Sequence, residues 1–194
     1  TTATSHSRTM ILEVMGRDAG WIALNASVAG GAHIVLIPEI PYHIEKVIQK
    51  IQSRQEEGKG FSIIVIAEGA KPAGGEVTSK ASTEVGYENV MLGGIGRKIM
   101  GDIKNQIDIE MRVTVLGHLQ RGGIPIAYDR ILATQFGVKA FELVLEKQFG
   151  QMVAYKHHDI ISVPITEAVA KLNLVKPDDY LINTARGIGI CLGD

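Results

Sequence analysis

With a single cysteine in 194 residues, Cys191, the chain has no intrachain disulfide, which fits folding in a reducing compartment, read as the cytoplasm. Neither sign of charge is in excess: 20 Lys and Arg against 21 Asp and Glu give a formal net charge of −1 and a pI near 6.6. That balance argues against a nucleic-acid partner or an anionic membrane surface, so any strong anion site must be built from a few placed cations. Long apolar runs are missing too, and nothing approaches the ~18 residues that a membrane span requires. The polar start, Thr1 to His6, does not read as a signal peptide; it has the look of a chain entered in mid-domain. No Pro-, Gly- or Ser-rich linker and no low-complexity tract marks a domain boundary.

What is present is ordinary for a folded protein: 45% hydrophobic and 21% charged residues, enough to bury a real core. Glycine stands out, with 22 residues and no repeat period, which points to tight strand-to-helix turns. The sequon at Asn25-Ala-Ser27 falls in a predicted helix and is read as accidental.

Short apolar strands alternate with amphipathic helices. Met10–Val14 reads as a strand, Trp21–Ala29 as a helix closed by Gly30-Gly31, and His33–Ile37 as a second strand ended by Pro38. Ile44, Val47, Ile48 and Ile51 fall at i, i+3, i+4 and i+7, a helical face. Ser62–Ala67 is almost purely apolar, as in a strand covered on both sides of a parallel sheet. A glycine-dotted helix is predicted over about 89–103, a strand over Arg112–Leu116, and a long helix through Leu132, Phe136, Ala140 and Leu143 that stops by Gly150. Gln151–Tyr155 and Gly187–Leu192 are further strand candidates. The alternation predicts an α/β fold, a mostly parallel open sheet with helices on both faces.

Open parallel sheets bind ligands beyond the carboxyl ends of their strands. Those ends are Met15-Gly16-Arg17, Glu68-Gly69 and Gly117-His118-Leu-Gln-Arg121-Gly-Gly123. They supply two arginines, a histidine and one carboxylate beside glycines that permit close approach. Gly16 and Arg17 are placed where a helix begins, so free N–H groups are expected to add to an anion site. The arginine fork suits phosphate, and a lone carboxylate among cations suits hydroxyls, so the chemistry points to a phosphorylated polyol. Singly, each residue has a plainer reading: Arg17 as a solvated turn residue, Glu68 as a turn cap, His118 as a half-buried histidine, Arg121 as a surface charge. Only their joint placement favours a site. Gly93-Gly-Ile-Gly96 lacks the spacing of a dinucleotide fingerprint and is read as helix packing; no Walker loop exists. Lys156-His-His-Asp159 is read as a polar loop rather than a metal cluster.

Several of these segments together resemble the 6-phosphofructokinase family: Ile11-Leu-Glu-Val-Met-Gly-Arg17, Ala29-Gly-Gly-Ala32, Ile66-Ala-Glu-Gly69, and Arg112-Val-Thr-Val-Leu-Gly-His-Leu-Gln-Arg-Gly-Gly123 with Tyr128-Asp-Arg-Ile-Leu-Ala133. The resemblance covers residues ~6 to 140 closely and the rest more loosely. It implies that Met15, Gly16 and Arg17 contact fructose 6-phosphate and, through Arg17, the phosphoryl group in flight. It implies that Glu68 holds sugar hydroxyls, that His118 and Arg121 grip the 6-phosphate, and that Arg8 and Arg112 reach the same phosphate in a neighbouring subunit. The partners implied are therefore fructose 6-phosphate, a homo-oligomer (dimer or tetramer) and the N-terminal half of the same enzyme. That half holds the donor loops and the catalytic aspartate, with Mg²⁺ and either ATP or pyrophosphate, so this chain alone is expected to hold no metal and to be inactive. The implied division is residues 1–122 with 174–194 as the smaller, sugar-phosphate-binding domain, and 123–173 packed on the donor-binding domain. His33 stands where bacterial ATP-dependent members carry an acidic effector-site residue, and Glu57 where a basic one is common, with Lys59 retained; at these positions the resemblance does not imply control by ADP or phosphoenolpyruvate. A non-catalytic regulatory subunit that binds a sugar phosphate is the alternative reading.

Overall fold

The computed structural model describes residues 8–80, 91, 92 and 94–194. They divide into two compact units, Thr1–Arg121 with Leu174–Asp194, and Gly122–Asn173.

The first unit is built on a parallel sheet of β1 (Thr9–Val14), β2 (Ile34–Leu36), β3 (Ser62–Ala67) and β6 (Met111–Val115), in the order β2-β3-β1-β6. A two-stranded antiparallel pair, β4 (Ser79–Lys80) and β5 (Met91–Leu92), lies outside it. Alternation along the strands sends side chains to two cores, as the period of two requires. On one face Ile11, Ile34, Leu36, Ile64 and Ile66 pack under α2 (Ile44–Glu56) and α3 (Ile95–Lys104) through Val47, Ile51, Ile95, Ile99 and Ile103. On the other, Val14, Val35, Val65 and Ala67 meet Ala23 and Leu24 of α1 (Trp21–Gly30) and Ile182 and Ala185 of α6 (Tyr180–Gly187). Helices therefore cover both faces, as the near-continuous apolar run of β3 requires.

Two expectations change. The glycine-dotted helix starts at Ile95, with Gly94 as its N-cap; Asn89, Val90 and Gly93 lie outside the described residues. Gly187–Leu192 is not a strand. Tyr180–Gly187 is helical, and beyond it only Cys191 pairs, as a parallel bridge to Ile34, while Ile190 and Leu192 turn into the core. Gly189, at φ +83°, reverses the chain there and leaves too few residues for a ladder.

In the second unit α4 (Ala127–Leu145) accompanies the antiparallel hairpin β7 (Gln151–Lys156)–β8 (Asp159–Pro164) and the short α5 (Ile165–Ala168). His157 and His158, at φ +50° and +73°, form the two-residue hairpin turn, and the Tyr155 hydroxyl lies 3.0 Å from His158 Nδ1. Among the described residues no three His, Cys, Asp or Glu side chains are grouped to hold a metal ion. Leu143 is the buried residue of α4, whereas Ile131, Val138, Phe141, Val144 and Leu145 are more than half exposed. An apolar cleft of about 520 Å³ lies against α4 and β7, lined by Phe136, Ala140, Leu143, Phe149 and Val153. No described helix is long and apolar enough to cross a membrane.

Candidate functional site

Parallel register brings three strand ends to one edge. Val14 pairs with Ala67, and Glu13 with Val115. The pairing runs one residue past the strands, with Glu68 N–H donating to the Val14 carbonyl at 2.9 Å and Leu116 N–H to the Glu13 carbonyl at 3.0 Å. β1 leads away to α1 on one face and β3 leads toward α3 on the other. Neighbouring strands with departing chains on opposite faces make a topological switch point, the place where open α/β sheets bind ligands.

The segments beyond these ends are tied together. Gly69 N–H donates to the Gly16 carbonyl at 3.0 Å, and a Cβ on Gly69 would stand 1.7 Å from the Arg17 carbonyl oxygen, so only glycine lets these two loops touch. Gly16 itself has φ +148°, and a Cβ there would stand 2.9 Å from the Ala19 carbonyl oxygen. On the other side, Gln120 Oε1 accepts from Met15 N–H at 2.7 Å. Gln120 belongs to a 3-10 turn, Gly117–Arg121, in which residues three apart eclipse one another, so His118 and Arg121 lie on the same side. Met15, Gly16, Arg17, Glu68, His118 and Arg121 thus share the carboxyl edge; Arg17, His118 and Arg121 are exposed and Glu68 half-buried.

The expectation that Gly16 and Arg17 open a helix fails, although the helix itself starts where the sequence placed it. α1 begins at Trp21, and both oxygens of Glu39 accept from the N–H of its N-cap, Gly20, at 3.0 and 3.1 Å. Glu39 also accepts from Val175 N–H at 2.9 Å. A carboxylate thus already meets the N–H of Gly20 at the entrance of α1.

Arg8 and Arg112 lie elsewhere, at the amino ends of β1 and β6. At about 3.3 Å per residue, Arg8 stands roughly 20 Å from Val14 at the carboxyl edge, and Arg112, second in the five-residue β6, roughly 10 Å from Val115. Glu110 pairs with both, 2.7 Å from Arg8 and 3.8 Å from Arg112.

Glu13 was not singled out from the sequence, and it is 2% exposed in a strand whose other residues, Thr9 apart, are apolar. Its two oxygens accept from Gly94 N–H and Gly96 N–H, each at 2.9 Å, and so cap α3. The glycines of 93–96 accordingly serve packing where described: a Cβ on Gly96 would stand 3.1 Å from Val113 and 3.2 Å from Glu13. A charged residue in the middle of a two-sided buried strand was the signal available for Glu13.

At the amino edge, His33 Nδ1 accepts from Ile63 N–H at 2.9 Å, and the ring meets Phe61 edge-on. Burial first, then Arg54, Lys50 and Lys59, push its pKa down from 6.5 to about 4. Glu57 and Lys59 form an ion pair at 2.8 Å. The folded protein thus binds a proton less readily than the unfolded chain. The stability this represents is full above pH 6.5 and is lost as pH falls toward 4. The melting temperature of the wild type is expected to drop more steeply over that interval than that of His33→Gln; parallel curves would refute the assignment.

The sequence matches the family model described as Phosphofructokinase over residues 1–144. The chain belongs to the phosphofructokinase family. It is 48% identical over its whole length to an ATP-dependent 6-phosphofructokinase of Chloroflexus aurantiacus, covering 52% of that protein. It is also 47% identical, over 93% of its length, to a pyrophosphate–fructose 6-phosphate 1-phosphotransferase of Amycolatopsis methanolica, again covering 52%. The phosphofructokinase structure of Saccharomyces cerevisiae aligns with 96% of the chain at a TM-score of 0.69 and 31% identity, over 22% of that protein. A pyrophosphate-dependent phosphofructokinase of Nitrosospira multiformis shares the fold, at a TM-score of 0.73 over the whole chain and 51% of its own. The chain spans about half the length of the curated relatives it matches.

Proposed function

We propose that this chain supplies the fructose 6-phosphate side of a 6-phosphofructokinase site, at which phosphoryl is transferred from ATP or pyrophosphate. The observation that carries the reading is the joining of three strand ends at the switch point, with Arg17, Glu68, His118 and Arg121 on one edge. Relatives at 47–48% identity bear both donors in their names, which supports the acceptor sugar as the common element. His118 and Arg121 hold the 6-phosphate through charge-assisted hydrogen bonds, Glu68 accepts from sugar hydroxyls, and Met15 and Gly16 line the loop. Arg17 is the catalytic residue of this chain, stabilising charge on the phosphoryl group as it moves; such transfer rests on positioning and charge neutralisation.

The donor, its magnesium ion and the base that deprotonates the sugar hydroxyl belong to the remainder of the enzyme. Mg²⁺ is accordingly assigned to that remainder. The second unit, 122–173, packs on that remainder. In support, α4 carries apolar residues all round rather than in a stripe, a pattern that belongs to a covered helix. Arg8 and Arg112, toward the ends of β1 and β6 opposite the cradle, serve the site of a neighbouring copy in a cytoplasmic homo-oligomer.

Titration of the isolated 194-residue chain with fructose 6-phosphate is expected to give a dissociation constant no tighter than roughly 1 mM, and no turnover with either donor. Micromolar affinity in a monomer would overturn the role given to Arg8 and Arg112. Equal affinity for fructose and fructose 6-phosphate would overturn the cradle. Transfer by the full enzyme separates this reading from that of a non-catalytic regulatory subunit.

A further inference from the structure

We infer that Gln120 is a positioning residue, which locks the loop carrying Arg17 to the turn carrying His118 and Arg121 so that both groups address one ligand. The inference rests on the proposed sugar-phosphate site and adds to it a residue that neither charge nor hydrogen-bonding to the sugar would pick out. Past Leu116 the two segments leave the sheet and are no longer held by ladder pairing. β3 and β1 remain joined there by backbone, Gly69 N–H to the Gly16 carbonyl, a bond in which no side chain takes part. Between β1 and β6 the corresponding tie is a side chain: Gln120 Oε1 accepting from Met15 N–H at 2.7 Å.

The 3-10 geometry explains why this residue can do it. His118 and Arg121 eclipse each other on one side of the turn, and Gln120, one residue before Arg121, is directed elsewhere, toward β1. Its neighbours Leu119 and Arg121 are exposed, whereas Gln120 is half-buried. An amide is suited to the place. It offers a neutral acceptor to the Met15 N–H, where a carboxylate would add a negative charge beside a phosphate site and a lysine or arginine would have no acceptor. Without the bond the half-buried Met15 N–H loses its partner and the loop is free to separate from the turn.

The test uses the full enzyme containing this chain, with Gln120→Met, which keeps length and volume but not the amide oxygen, Arg121→Ala, and the double variant. Q120M is expected to raise the Michaelis constant for fructose 6-phosphate about tenfold, to lower kcat by less, and to leave that for the donor unchanged. In the double variant the two losses should fall well short of multiplying, because a misplaced turn and a missing guanidinium forfeit the same contact. The Met15 amide should exchange with solvent faster in Q120M. Should Q120M fail to fold, Gln120→Asn, one methylene too short to reach, is expected to give the same kinetics. Wild-type kinetics in Q120M, or a donor constant that rises as much as the sugar constant with losses that multiply, would overturn the inference. Arg121→Ala with an unchanged sugar constant would instead sink the site reading itself.

Discussion

Arg121→Ala in the full enzyme is expected to raise the Michaelis constant for fructose 6-phosphate about ten- to hundredfold while leaving that for the donor within about twofold. A hydrogen bond to a charged group is worth about 1.5–3 kcal/mol, the equivalent of that range. Arg121 sits at the last position of the 3-10 turn, on the same side as His118, so removal leaves the phosphate with part of its charge unanswered. The donor is proposed to bind on the other side of the site, so its constant should be indifferent. Steady-state kinetics with each substrate varied in turn decides it; equal effects on the two constants would mean that Arg121 acts through the fold.

Gly69→Ala should be more damaging than its size implies. The added methyl group would lie 1.7 Å from the Arg17 carbonyl oxygen and 3.0 Å from that of Gly16, both backbone atoms with no rotamer to give way. Relief requires the Gly16–Arg17 loop to move off Gly69, breaking the 3.0 Å hydrogen bond between them. We expect a loss of at least about 2 kcal/mol in unfolding free energy, since overpacking costs about 1–3 kcal/mol and the lost hydrogen bond adds to it. The residual folded protein should show a kcat reduced by more than tenfold through misplacement of Arg17. Chemical denaturation and kinetics measure the two effects separately. A Gly69→Ala protein with wild-type stability would show that the loops do not meet as described.

Much of this was legible in the residues. The purely apolar Ser62–Ala67 segment announced a strand covered on both faces, and it is the sheet's inner β3. Ile44, Val47, Ile48 and Ile51 announced the buried face of α2, and Gly31 the end of α1. Parallel strands put their carboxyl ends on one edge whatever the remaining detail, so the residues after β1, β3 and β6 could be grouped before any coordinates. What sequence could not give was long-range pairing by side chains. Glu39 reaches the start of α1 from 19 residues away, Glu13 reaches α3 from more than 80, and Gln120 reaches Met15 from 105. No local pattern encodes such pairs. α1 starts at Trp21, as its residues indicated, but the Gly16-Arg17 loop before it is no helix entrance, and Glu39, which accepts from Gly20 N–H, lies too far along the chain for a local pattern to show it.

The separation of Arg8 and Arg112 from the cradle has a consequence for assembly. If each copy lends those arginines across a twofold axis, one dimerisation event completes two sites together, and each copy gives what it receives. Dissociation then disables both partners at once, so dilution would act on such an assembly as an off switch shared by the pair rather than a gradual loss of single centres.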